Sequence, residues 1–238
     1  KVNVTAHVDS PTTSLLTREC PGCETQGNSL TLEGVDFVPG TSVRGIEIQP
    51  VPLTIVDPKL NQVGRILWNQ PKVPVLPNSN KAIANMKVAS ELLPVSDDRF
   101  RILSPPSTVV SGGGAQAGLM LDLSKSTLPL DVRQAMQARD YTEVGSYVLL
   151  AQEALYGDYL ANGGAAPQRV DASSRLIFVG YGDSDFLSST TGTLNGISSD
   201  TAPQVFWHNY DSSTAPLTFA HETGHQLGLG HTRGNGTW

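Results

Sequence analysis

Near its end the chain carries the run His221-Glu222-Thr223-Gly224-His225-Gln226-Leu227-Gly228-Leu229-Gly230-His231. No other stretch limits the local fold as tightly. His221 and His225 are four residues apart, so on a helix their imidazoles project from one side, one turn apart. Gly228 follows three residues after His225. A glycine there can take a left-handed conformation, end the helix and turn the chain. Leu229-Gly230 then spans the turn and His231 can return toward the first two rings. Three imidazoles suit one tetrahedral zinc ion and leave a fourth position for water, the pattern of a catalytic rather than a structural site. Glu222, beside His221, points around the helix toward the open side, badly placed to bind metal but well placed to touch a water. The expected chemistry is hydrolysis of a peptide bond. Zinc acidifies a water and polarises the carbonyl, and Glu222 takes the water's proton and delivers it to the leaving amine.

The elements upstream are read from periodicity. A last helix is expected from about Ala215 to Leu227, capped by residues between Asp211 and Thr214, with Pro216 in its first turn. Leu217, Ala220, Gly224 and Leu227, at spacings of three and four, are its expected buried face. Other helices are predicted over 80–93, 129–138 and 142–161, the longest ended by Gly163-Gly164. Val2, Val4, Ala6 and Val8 alternate with polar residues as in a half-buried strand, and another strand region runs from Leu30 to Val38. Val43 to Ile55 alternates as well, but Pro50 and Pro52 place it at an edge or at a break. Phe100 to Leu103 is a short strand, Arg175 to Gly180 a central one, Gly192 to Ser198 a glycine-interrupted edge strand, and Gln204 to Tyr210 a further strand. The order gives an α/β (α+β) sandwich of mixed strand direction. Residues 1–40 form a small β-rich segment or the end of an upstream domain, and 41–238 form the main domain.

Composition excludes several partners. The net charge is −6 and no Lys/Arg-rich run occurs, which argues against nucleic acid and anionic membrane surfaces. No apolar stretch approaches the roughly 20 residues of a membrane span. Only 16% of the residues are charged, which fits a secreted or cell-surface protein better than a cytosolic one. Starting at Lys1, the N-terminus reads as processed or cut from a longer chain.

Other chemistry-bearing residues carry weaker signals. Cys20 and Cys23 enclose Pro21-Gly22. A zinc ribbon needs a second cysteine pair, and a thioredoxin-like motif needs a strand before it and a helix after it. The pair therefore reads as a small disulfide clamping a turn, with a zinc-capping thiol as the alternative. Ser111-Gly112-Gly113-Gly114 lacks the Gly-Lys-Ser/Thr ending of a phosphate cradle and reads as a flexible loop. His208 reads as structural or cleft-lining, and His7 as exposed. Asp183 and Asp185 offer calcium ligands, although two carboxylates in a loop more often only solvate it.

Residues His221 to His231 match every fixed position of the extended zinc signature of the metzincin metalloproteases, and the chain resembles that clan. The segment from Phe219 to Gly236 is faintly similar to both the serralysin and the gametolysin branches. The resemblance implies zinc ligands His221, His225 and His231 with Glu222 as general base. It further implies an N-terminal catalytic subdomain, with a twisted mixed sheet, backing helices, an active-site helix and an edge strand that pairs with extended substrate. Leu194, Asn195, Gly196 and Ile197 fall on that strand and become candidate substrate-binding residues. The clan places a methionine turn downstream of the third histidine, whereas Met86, Met120 and Met136 all lie upstream. The methionine turn and C-terminal subdomain are therefore expected in a remainder of the polypeptide beyond Trp238. The expected partners are a protein or peptide substrate and that remainder. The competing expectation is a binding or adhesin-type module whose zinc site is vestigial or serves assembly.

Overall fold

The structure is a computed structural model. It describes residues 2–7, 29–35, 45–71, 77–93, 95–106, 109–111, 114–116, 119–182, 195–199, 201–208 and 210–229. The chain divides into two units, Lys1–Val43 with Gly230–Trp238, and Arg44–Leu229. In the first, β1 (Val2–His7) pairs antiparallel with β2 (Ser29–Val35).

The second unit is a mixed α/β fold with four α-helices among the described residues. Its elements are β3 (Ile46–Val56), β4 (Pro58–Leu60), β5 (Ile66–Pro71), α1 (Ser79–Ser90), β6 (Phe100–Ile102), β7 (Val109–Ser111), β8 (Gly114–Gln116) and β9 (Leu119–Asp122). They continue with α2 (Leu130–Ala138), α3 (Tyr141–Ala161), β10 (Arg175–Tyr181), β11 (Gly196–Ser198), β12 (Gln204–Trp207) and α4 (Ala215–Gln226). Two helices begin where a side chain satisfies a first-turn amide: Asn78 Oδ1 accepts from Lys81 N at 3.1 Å, and Asp140 Oδ1 from Glu143 N at 3.2 Å.

The main sheet runs β11-β12-β10-β3-β6, with β9 also on β3. β11 pairs antiparallel with β12, and the other pairings are parallel. Alternation splits the core between the two faces. Ile46, Ile48, Ile177, Val179, Val205 and Trp207 meet Ala82 and Met86 of α1 and Phe219 of α4. Val51, Leu53, Ile55 and Phe206 meet Val132 and Met136 of α2 and Val144, Val148 and Tyr156 of α3. No helix among the described residues is long and apolar enough to cross a membrane.

Three expectations are corrected. β3 is central, not an edge strand, and is buried along its whole length. It tolerates its prolines because the gap lies in its neighbour. Gly45 O accepts from Arg175 N on the β10 side, whereas Ile48 O accepts from Leu103 N on the other. In a parallel ladder the residue faces alternate, so Pro50 and Pro52 face that other side. There β6 pairs only through Ile48 and β9 only from Leu53, so no ladder donor is needed at either proline. Second, Leu217 is 57% exposed. The buried side of α4 is Ala215, Phe219, Glu222, Thr223, Gly224 and Gln226. Third, Ser111 and Gly114 belong to an antiparallel hairpin of β7 and β8 rather than to a plain loop; Gly112 and Gly113 lie outside the described residues.

Candidate metal centre

The motif helix α4 ends as its glycine requires. Gly228 has φ +82°, the left-handed region. Its N–H donates to His225 O at 2.9 Å, and Leu229 N donates to Gly224 O at 3.0 Å. Those two bonds are the Schellman arrangement, which satisfies carbonyls the helix would otherwise leave unpaired.

The turn also orients the ring of His225. Leu229 O lies 2.9 Å from His225 Nδ1. A carbonyl only accepts, so Nδ1 carries a proton, and whenever the ring is neutral its Nε2 offers a lone pair. His221 Nε2 lies 3.1 Å from that atom, with the ring centroids 4.6 Å apart and the ring planes at 85°. Two nitrogens bound to one tetrahedral zinc at 2.0–2.1 Å stand about 3.3–3.4 Å apart. The pair is therefore within a few tenths of an ångström of that spacing, and one ring already has its outer nitrogen on a backbone carbonyl, as metal-bound histidines usually do. Imidazole nitrogen suits zinc among the common metals. Among the described residues no group of three metal-ligating side chains comes together. The motif's third histidine, His231, lies outside them.

Glu222 is buried, at 8% exposure, under the edge strand. A Cβ at Gly196 would stand 2.7 Å from Glu222 Cγ and 3.1 Å from Thr218 Cγ2, so the glycine makes room for the acid. Burial pushes the Glu222 carboxyl above its ordinary range. The charge of His225 and a hydrogen bond from the Ser198 side chain pull the other way without reversing the rise.

The strand β11 lies at the edge of the main sheet. Asn195 O accepts from His208 N at 3.0 Å, and Ser199 N donates to Gln204 O at 2.9 Å, so residues 195, 197 and 199 face β12. Antiparallel alternation then turns the N–H and C=O of Gly196 and Ser198 to the outer side, where no described strand pairs with them. Among the predicted substrate residues, Asn195, Gly196 and Ile197 are thus on or beside the edge strand, and Leu194 lies outside the described residues. His208 is buried at the end of β12. His7 ends β1, its backbone opposite Ser29. Cys20, Cys23, Asp183 and Asp185 lie outside the described residues, and with them the disulfide and calcium expectations.

Sequence reasoning missed Ser198 and Gln226. Ser198 meets Glu222 across 24 residues of chain, a contact with no local signal. Gln226 had one: it falls at helical spacing from Ala215, Phe219 and Thr223, on the side of α4 that is buried. A cavity of about 370 Å³ lies on the other face of the sheet, lined by Gln152, Tyr156, Leu176, Phe178, Pro203 and Gln204 among others; neither motif histidine nor Glu222 borders it. The site is therefore placed by chemistry and not by cavity volume. Comparison with protein-family models, with curated proteins and with solved structures returned no match.

Proposed function

We propose that this chain is the zinc-binding, catalytic part of a secreted endopeptidase of the metzincin clan. One observation carries the reading: the Nε2 atoms of His221 and His225 stand 3.1 Å apart, while the helix-ending turn holds the Nδ1 of His225. His231 completes the ligand set in this proposal. Bound there, zinc supplies Lewis acidity, acidifying water and polarising the scissile carbonyl.

The chain's own residues do the rest. Gly196 and Ser198 offer backbone donors and acceptors to an extended peptide, which adds to the sheet as another strand. Ser198 also holds the Glu222 carboxylate, so the base is attached to the strand that aligns the substrate. Glu222 takes the proton of the attacking water and returns it to the amine of the broken peptide bond. The central parallel strands, the helices on both faces and the antiparallel edge strand support the assignment to a metzincin-like N-terminal subdomain.

Casein cleavage by the full chain, with chelator and with zinc restored, tests this together with Glu222→Ala. Chelation should abolish cleavage and zinc should restore it. The variant should keep its zinc and lose turnover by about 10²–10⁴-fold. Undiminished cleavage by the variant overturns the role of Glu222. Zinc binding without any cleavage by the unaltered chain favours the binding-module alternative.

A further inference from the structure

We infer that Gln226 is a positioning residue that sets the edge strand β11 at the height of the histidine pair, and so governs the binding of extended peptides. The inference rests on the endopeptidase reading and adds to it a residue outside the zinc motif's chemistry.

Gln226 occupies the last turn of α4, directly after His225, and is only 3% exposed. Its Nε2 donates to two strand carbonyls at once, Ser199 O at 2.6 Å and Gln204 O at 3.2 Å. Both partners can only accept, so the amide orientation is determined and Oε1 faces away from them. There it accepts from Arg175 Nη2 of β10 at 3.4 Å. Ser199 N in turn donates to Gln204 O, so the two carbonyls that Gln226 joins lie where β11 ends and β12 begins.

A second point of contact lies one helical turn earlier, where a Cβ at Gly196 would stand 2.7 Å from Glu222 Cγ and 3.1 Å from Thr218 Cγ2. Helix position 226 is thus bonded just past the end of β11 at residue 199, and position 222 packs closely on residue 196 within it. Two points fix both the distance and the slide of the strand along the helix, where a single bond would leave the slide free. The outward backbone groups of Gly196 and Ser198 therefore sit at a set level relative to His221 and His225. A buried glutamine is needed because a shorter amide does not reach two strands, and an apolar side chain leaves their carbonyls without a donor.

The kinetic signature follows. A displaced edge strand weakens ground state and transition state alike, which raises KM and leaves kcat. Mere loss of folded enzyme lowers apparent kcat and leaves KM. The test uses Gln226→Glu, which keeps the acceptor for Arg175 but removes both donations, and Gln226→Met, which keeps the shape without polar atoms. Each is assayed on a ten-residue peptide that spans the edge strand and on a short peptide that does not. Loss of two hydrogen bonds should raise KM for the long peptide about tenfold, with kcat within twofold, zinc affinity unchanged and the short peptide little affected. Amide exchange at Ser199 should quicken relative to Val179 of β10. Unchanged KM with lowered kcat, equal effects on both peptides, or unchanged exchange at Ser199 overturns the inference. An unaltered chain that cleaves neither peptide overturns the endopeptidase reading, and the proposed control of KM falls with it, whereas a failure confined to the variants leaves that reading standing.

Discussion

Glu222 and Gly196 show how a reactive group is accommodated at the scale of single residues. A carboxylate loses hydration when buried, and its charged form is disfavoured unless something solvates it. Ser198 supplies one hydrogen bond, His225 supplies charge, and the carboxyl still sits above its ordinary range. The space comes from the missing side chain at Gly196. In Gly196→Ala the new Cβ would meet Glu222 Cγ at 2.7 Å, a buried mid-chain atom that cannot swing away cheaply. Either the acid or the strand must move, at a cost of about 1–3 kcal/mol in stability. Displacing the base by a fraction of an ångström should lower kcat/KM on the order of a hundredfold. Thermal melting and peptide hydrolysis measure the two effects, and an alanine variant with undiminished turnover would contradict the assigned role of the glycine.

Among the elements, what could be read in advance was what local periodicity encodes. α1, α2 and α3 fall where spacing and stop signals placed them, and β10 is central as its apolar run required. The turn at Gly228 also follows from sequence, because only a residue without a side chain adopts φ +82° readily. What failed was long-range. The prolines of β3 argued against a central strand, but the neighbouring ladder is interrupted beside them, a fact set by where β6 ends and β9 begins. On α4 the expected face held at Gly224, which is buried, and at Ala220 and Leu227, which pack against the core, and it failed at Leu217, while Phe219, Thr223 and Gln226 are buried at equally helical spacing. Phe219 packs in the core with Trp207 and Val205, and Gln226 finds two carbonyls on the same side. The hairpins β4-β5 and β7-β8 went unread because proline and glycine hid their alternation. For the candidate site, the closeness of His221 and His225 on one helix side and the edge strand were legible; Ser198 was not, since Glu222 comes near it only after folding.

For the second unit as a whole, one buried carboxylate ties the start of β3 to the loop before β10. Glu47 is fully buried and accepts from Arg169 Nε at 3.0 Å and from Val170 N and Asp171 N, both at 2.9 Å. Burial pushes its carboxyl up, but the bonds from Asp171, Arg169 and Val170 together hold it below the ordinary range. A group whose folded pKa is depressed stabilises the fold above its unfolded value, and the benefit disappears as pH falls through the folded value. Glu47→Gln should therefore cost about 2 kcal/mol near neutral pH. The gap in melting temperature should close as the pH drops below about 4. A gap that persists unchanged in acid would show that shape, not charge, makes the contribution. The clamp lies apart from the histidine pair, so this variant should retain its zinc.

The central claim is that three imidazoles share one ion, and zinc titration of the full chain tests it most directly. The account predicts one zinc per chain, with His221→Ala, His225→Ala and His231→Ala each weakening binding by a hundredfold or more, since each removes one of about three protein ligands. A chain that binds no zinc, or a His231→Ala variant that binds it as tightly as the unaltered chain, would contradict it.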